Sequence, residues 1–219
     1  MLDISTKLMT NFSIGMMFSK FFFLLINSFN VIARKVYERY YKSYIIGHAK
    51  RCEKDIGIYG RPYIIIGKNA TVCIGKGFVC RSGADQAIDN SVCSKLIVVD
   101  NAKLTIGDYT GISNTTIECN SEVFIGNNVN IGAGTMVFDT DFHSLDWRDR
   151  YERKNDIINK KIMPIHIGNC VFIGARSIIC KGVTIGDKSI IAAGSVVVKS
   201  IPPNEIWGGN PARFIRKVI

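Results

Sequence analysis

The chain has 219 residues, 47% of them hydrophobic and 21% charged, which supports a buried core and excludes a disordered chain. Its formal net charge of +10 is uneven: residues 1–54 carry nine basic against three acidic side chains and residues 199–219 four against one, leaving fifteen and fourteen between them. A nearly neutral middle without a basic face of interleaved aromatics excludes nucleic-acid binding.

The first predicted element is a helix within residues 4–44. Apolar side chains fall three or four apart at Phe18, Phe22, Leu25, Phe29, Ile32, Val36 and Tyr40, while Lys20, Asn27, Asn30, Lys35 and Arg39 lie off that stripe. The longest apolar run, 21–26, is too short to span a bilayer, and no secretory cleavage site follows it. Two roles fit: a cap packed on the body of the protein or a neighbouring subunit, or an interfacial helix whose Lys20, Arg34, Lys35 and Arg39 meet anionic headgroups. The expected location is cytoplasmic, at the inner face of the membrane in the second case.

A cadence of six follows. Ile66-Gly67, Val72 and Ile74-Gly75 open it, Ile106-Gly107 leads to Ile112, and Ile125-Gly126 and Ile131-Gly132 lead to Val137. It then runs unbroken through Ile167, Ile173, Ile179, Ile185, Ile191 and Val197. A helix needs a spacing of three or four and a half-buried strand a spacing of two, so a period of six fits neither alone; it fits a hexapeptide β-helix. Each aliphatic points into a narrow prism, a small residue lets the chain turn, and three such sides close a coil. The compact Val171, Ser177, Val183, Ser189 and Ser195, each four residues after an aliphatic, belong to the same pattern. A β-sandwich would show two-residue alternation and hairpin signals instead. The predicted organisation is a helical segment at 1–55, an all-β solenoid at 56–201 and a tail at 202–219. Frame breaks fall near 73, 118 and 138–166. The seven cysteines are odd in number and lack C-x-x-C spacing, so they read as small coil residues of a protein in a reducing compartment, without a zinc site.

The long break, a protruding loop at about 138–165, contains His143 between the carboxylates of Asp139, Asp141 and Asp146. Long loops on regular scaffolds commonly hold sites, and a carboxylate beside an imidazole fixes its tautomer for proton transfer. Asp141 is the nearest candidate for that partner. The other histidines, His48 and His166, are too scattered to join His143 in the three-histidine zinc site of a metal hydratase on this fold.

Four segments, Asp139-Thr140-Asp141-Phe142-His143, the block 185–197, Ile201-Pro202-Pro203-Asn204 and Gly209-Asn210-Pro211-Ala212-Arg213, closely resemble the hexapeptide-repeat acyltransferases, within them the sugar O-acetyltransferases of the maltose, galactoside, capsule and O-antigen types. The resemblance covers about 60–216. It implies a homotrimer of left-handed parallel β-helices with acetyl-CoA in a groove between neighbouring prisms, no metal, and His143 as general base with Asp141 beside it. It places the cofactor against Gly174, Ala175 and Ala193 and its phosphates near Lys199, Arg213 and Arg216. For a saccharide acceptor it points to Asn114, and the loop adds Trp147 as a stacking platform and Arg148 or Arg150 for an acidic group. Phe172 stands where some relatives carry Trp. The implied function is O-acetylation of a sugar hydroxyl in surface polysaccharide biosynthesis. N-acetylation of an amino sugar and a non-enzymatic β-helix scaffold are the alternatives, and the loop around His143 argues against the scaffold.

Overall fold

A computed structural model describes residues 32–33, 35–83 and 93–219. Glu38–Ile219 form one compact unit and Met1–Tyr37 another. Phe18, Phe22, Leu25, Phe29, Lys20, Asn27, Asn30 and Arg34 of the predicted helix lie outside the described residues, whereas 32–33 and 35–48 are helical. Within the larger unit this helix, α1, buries Ile45 and packs Tyr41 on the core while Tyr40 is exposed, so its buried face is turned by one residue from the expected stripe. Among the described residues no helix is long and apolar enough to cross a membrane.

Three sheets built from every third strand follow. The first contains β1 (Arg51–Cys52), β4 (Thr71–Ile74), β7 (Lys103–Ile106), β10 (Glu122–Ile125), β13 (Ile165–Ile167) and β16 (Thr184–Ile185). The second contains β2 (Gly57–Gly60), β5 (Val79–Ser82), β8 (Gly111–Ser113), β11 (Asn130–Ile131), β14 (Phe172–Ile173), β17 (Ile190–Ile191), β19 (Glu205–Gly208) and β20 (Arg213–Lys217). The third contains β3 (Tyr63–Ile66), β6 (Lys95–Val98), β9 (Thr116–Cys119), β12 (Met136–Phe138), β15 (Ile178–Ile179) and β18 (Val196–Val197). Among the described residues the strands pair in parallel except for the hairpin of β19 with β20, and a single antiparallel bridge joins Thr140 to Ile162.

This is the connectivity that a six-residue period requires. His166 pairs with Thr184, eighteen residues on, which is three sides of six. Leu104 pairs with Val123, one residue further, and that extra residue is the frame slip near 118. Val123 pairs with Ile165, and the longer step absorbs the loop. The leading aliphatics Ile167, Ile173, Ile179, Ile185, Ile191 and Val197 are buried, each worth roughly 2 kcal/mol relative to exposure. Ser177, Ser189 and Ser195 are buried too, and the Ser177 hydroxyl donates to the Gly174 carbonyl at 2.8 Å, which removes the cost of hiding it. Cys80 and Cys119 belong to the same core, where burial pushes both thiols up to about 12.

The Ile-Gly pairs mark where successive coils touch. A Cβ on Gly126 would stand 2.8 Å from Asn169 Oδ1, and one on Gly174 would stand 2.5 Å from the Ala193 nitrogen. The residue after each glycine at the first corner continues a side-chain ladder: the Lys76, Asp108, Asn127 and Asn169 backbone N–H groups donate in turn to Asp108, Asn127, Asn169 and Asp187. Corners thereby satisfy backbone groups that no strand can reach.

Candidate active site

The loop leaves the prism between β12 and β13, at the edge joining the third sheet to the first. Asp139 anchors the departure. It is fully buried, and its carboxylate accepts from the backbone N–H groups of Asn120, Ser121 and Glu122 at 2.7, 2.7 and 3.0 Å and from the Ser121 hydroxyl at 3.0 Å. The return strand closes on it, since the Met163 N–H donates to Asp139 O at 2.9 Å and the Asp141 N–H to Lys161 O at 3.0 Å. The loop itself is folded, with a 3-10 turn at Asp149–Tyr151 and a helix α2 at Arg153–Asn159, where its sequence had shown only a polar excursion.

His143 stands on this loop with its side chain 69% exposed, and the carboxylate beside it is Asp156, not Asp141. His143 Nδ1 lies 2.7 Å from Asp156 Oδ2, and the Ser144 N–H donates to Asp156 Oδ1 at 2.7 Å. The hydrogen bond from His143, then that from Ser144, hold the Asp156 carboxyl below its usual range, so it is an ionised acceptor. An acceptor there requires the proton on Nδ1, which in the neutral ring leaves Nε2 with a free lone pair.

Asp141 turns the other way. Its Oδ1 lies 2.6 Å from Lys181 Nζ, both side chains about four-fifths buried, while its backbone carbonyl accepts from the His143 N–H at 2.7 Å. It fails as the orienting carboxylate because the left-handed Phe142, at φ 63°, turns the chain and breaks the alternation that would put residues two apart on one side, and Lys181 holds the Asp141 carboxylate instead. The other Asp141 oxygen is buried without a hydrogen-bond partner, so Lys181 is its main compensation. Lys181→Met should therefore destabilise the protein by roughly 2–3 kcal/mol, the cost of stranding a largely buried carboxylate, and Asp141→Asn on the same background should restore part of it. Urea unfolding of the two variants measures both; a Lys181→Met midpoint equal to wild type would show that the pair carries no stability.

The other predicted substrate residues separate. Asn114 is buried at the corner between the second and third sheets, where its Oδ1 accepts from the Gly83 N–H at 2.9 Å and its Nδ2 donates to Gly83 O at 3.2 Å. Arg148 forks onto Asp146 through two contacts of 2.6 and 3.0 Å, holding that carboxyl down to about 2. Arg150 donates to Ser144 O. Trp147 is exposed and meets Tyr151 edge-on at 5.6 Å.

Gly174, Ala175 and Ala193 occupy the same corner column as Asn114: the Gly134 N–H donates to Asn114 O, the Arg176 N–H to Ala133 O and the Gly194 N–H to Ala175 O. Lys199 is exposed on the loop's edge, two coils beyond Asp139, and Arg213 and Arg216 are exposed on β20. A groove of 380 Å³ crosses the outer face of the second sheet, lined by Val79, Arg81, Tyr109, Ser113, Asn130 and Phe172 among others. It includes no residue of the His143 loop.

The hexapeptide repeat of succinyl-transferase, as a family model, matches residues 164–199. The galactoside O-acetyltransferase of Escherichia coli (strain K12) is 43% identical over 172 residues, covering 78% of this chain and 72% of the relative. The chain belongs to the hexapeptide-repeat acetyltransferases. Among solved structures, a hexapeptide-repeat acetyltransferase of Vibrio cholerae in complex with acetyl coenzyme A is 31% identical and covers 70% of each chain, with a TM-score of 0.49. The N-acyltransferase AntD of Bacillus cereus, in complex with dTDP and 3-hydroxybutyryl-CoA, covers 78% of this chain and 85% of its own at 21% identity and a TM-score of 0.60, a likeness of fold.

Proposed function

We propose that this acetyltransferase transfers an acetyl group from acetyl-CoA to a saccharide hydroxyl, in surface polysaccharide biosynthesis, with His143 as general base and Asp156 as its positioning residue. The supporting observation is the exposed imidazole whose Nδ1 is held 2.7 Å from a carboxylate. The relative's galactoside acceptor favours a sugar hydroxyl over an amine.

The acetyl thioester supplies the electrophilic carbonyl. His143 Nε2 takes the hydroxyl proton as the oxygen attacks that carbon, Asp156 steadies the imidazolium, and the same proton passes to the departing sulfur. No acyl-enzyme is needed. The column of Gly174, Ala175 and Ala193 offers small corners along which a pantetheine arm fits, and Lys199, Arg213 and Arg216 offer cations for its phosphates. The groove beside Asn114 is the acceptor site in this reading.

The groove lies on the second sheet and the His143 loop leaves the opposite edge of the third, so the two halves meet only across neighbouring subunits. Leu145, Trp147, Tyr151, Ile157 and Ile158 are exposed on the loop, an apolar face suited to a second copy. A homotrimer of left-handed β-helices in the cytoplasm accommodates this.

Thiol release from acetyl-CoA across matched hydroxyl and amino sugars tests the reading. Turnover with hydroxyl sugars supports it, and turnover confined to amines would replace it with N-acetylation. Arg213→Ala should raise the KM for acetyl-CoA about tenfold, more than it lowers kcat, because a phosphate contact remote from the thioester binds ground and transition states alike. An unchanged acetyl-CoA titration would remove Arg213 from the cofactor site.

A further inference from the structure

The groove has a charge as well as a shape. Among its described lining residues there is no Asp or Glu, while Arg81 projects from β5 with its guanidinium over the Tyr59 ring at 5.3 Å. At the corner that precedes β5 and β8, Lys76 lies over Tyr109 at 5.8 Å. Tyr109 and Phe172 stand about half exposed as walls, and Gly111 leaves the floor open: a Cβ there would find one heavy atom within 4 Å, Asn130 Oδ1 at 3.4 Å. Ser113 and Asn130 supply a hydroxyl and an amide. Flat rings, short polar groups and an open floor suit a pyranose, whose C–H face stacks on aromatics while its hydroxyls take hydrogen bonds. None of these groups needs the sugar to be charged. Arg81 does.

A guanidinium held over an aromatic face keeps its N–H donors, the fork that meets a carboxylate or phosphate through two parallel hydrogen bonds. Arg148 and Arg150 are committed within the loop to Asp146 and Ser144, whereas among the described residues no carboxylate bridges Arg81. We infer that the acceptor is an anionic saccharide and that Arg81 is the residue that selects it. This rests on the groove being the acceptor site of the proposed reaction, and it adds the substrate's charge, which neither the fold nor the galactoside-modifying relative supplies.

The test compares three acceptors of one ring type, a neutral hexose, the corresponding hexuronic acid and the hexose phosphate, in thiol release with wild type and Arg81→Met. Wild type should prefer one anionic sugar over the neutral one by at least about tenfold in kcat/KM, carried mainly by KM, and Arg81→Met should reduce that ratio at least about tenfold. Which anion gains more separates a carboxylate-bearing from a phosphate-bearing acceptor. Arg81→Lys, which keeps the charge without the fork, should restore part of the ratio. A wild-type preference for the neutral hexose, or an anionic preference that survives in Arg81→Met, overturns the inference. Titration of the full chain with the hexuronic acid and the hexose phosphate in the absence of acetyl-CoA separates this failure from that of acetyl transfer. Saturable binding of either anion weakened about tenfold or more in Arg81→Met upholds the groove's selectivity even if no sugar is acetylated. Equal binding to both proteins, or none to wild type, rejects it whatever the turnover assay shows.

Discussion

His143→Ala should lower acetyl-CoA thiol release by at least about a hundredfold in kcat, with the KM for acetyl-CoA within about twofold of wild type. The loss falls on kcat because proton removal belongs to the transition state, and an exposed ring contributes nothing to uniform cofactor binding. The structure also separates this loss from unfolding. The ring takes no part in the core, Asp139 still anchors the loop through four contacts, and Asp156 keeps the Ser144 N–H. Circular dichroism should therefore match wild type, and unfolding should stay a single transition, lowered only by the loss of the His143–Asp156 contact. A folded His143→Ala protein with near wild-type turnover would take the general base away from this residue and with it the catalytic role of the loop.

The three stacked parallel sheets were legible in the chain because their periodicity is local: Ile167 through Val197 recur in six-residue steps, and every one of those side chains is buried. The tertiary decisions were not. Asp156 lies thirteen residues from His143, and only the folding of 153–159 into α2 brings it within 2.7 Å of the ring. The apolar pair Ile157-Ile158 in an otherwise polar stretch was the available hint of that helix, although both side chains are exposed rather than buried. Asp141, two residues away in sequence, was the natural candidate, but the left-handed Phe142 between them turns the chain, and Lys181 from the next coil holds the Asp141 carboxylate. Arg81 was hidden for a different reason. Its neighbours Tyr59, Tyr109, Asn130 and Phe172 come from successive coils of one face, and their convergence depends on how many residues each coil contains.

Asp156→Asn should be nearly as damaging as loss of the imidazole, at about a hundredfold or more in kcat, although it changes neither size nor burial. In the native loop Asp156 only accepts, taking the Ser144 N–H on one oxygen and the His143 Nδ1 proton on the other. Asparagine keeps one acceptor. If that oxygen remains on Ser144, its amide NH₂ faces Nδ1, the ring must accept there, and the proton moves to Nε2, which then has no lone pair for the acceptor hydroxyl. If the amide flips, its NH₂ opposes the Ser144 N–H and the support of the ring is lost instead. Asp156→Ala removes the support without imposing the wrong tautomer, so it should retain more activity than the asparagine variant; equal losses would mean that orientation rather than tautomer matters. The same carboxylate sets an acid limit. Because its folded pKa lies below the ordinary value, it contributes full stability to the docked loop above the ordinary carboxylate range and loses that contribution as pH falls through the lower folded value. Hydrogen exchange at Ser144, compared between wild type and Asp156→Asn, should therefore show a protection difference that narrows as the pH falls below ~4. A difference that instead grew below pH ~4 would mean that Asp156 is held in its protonated form, and an uncharged acid could not steady the imidazolium that proton transfer creates.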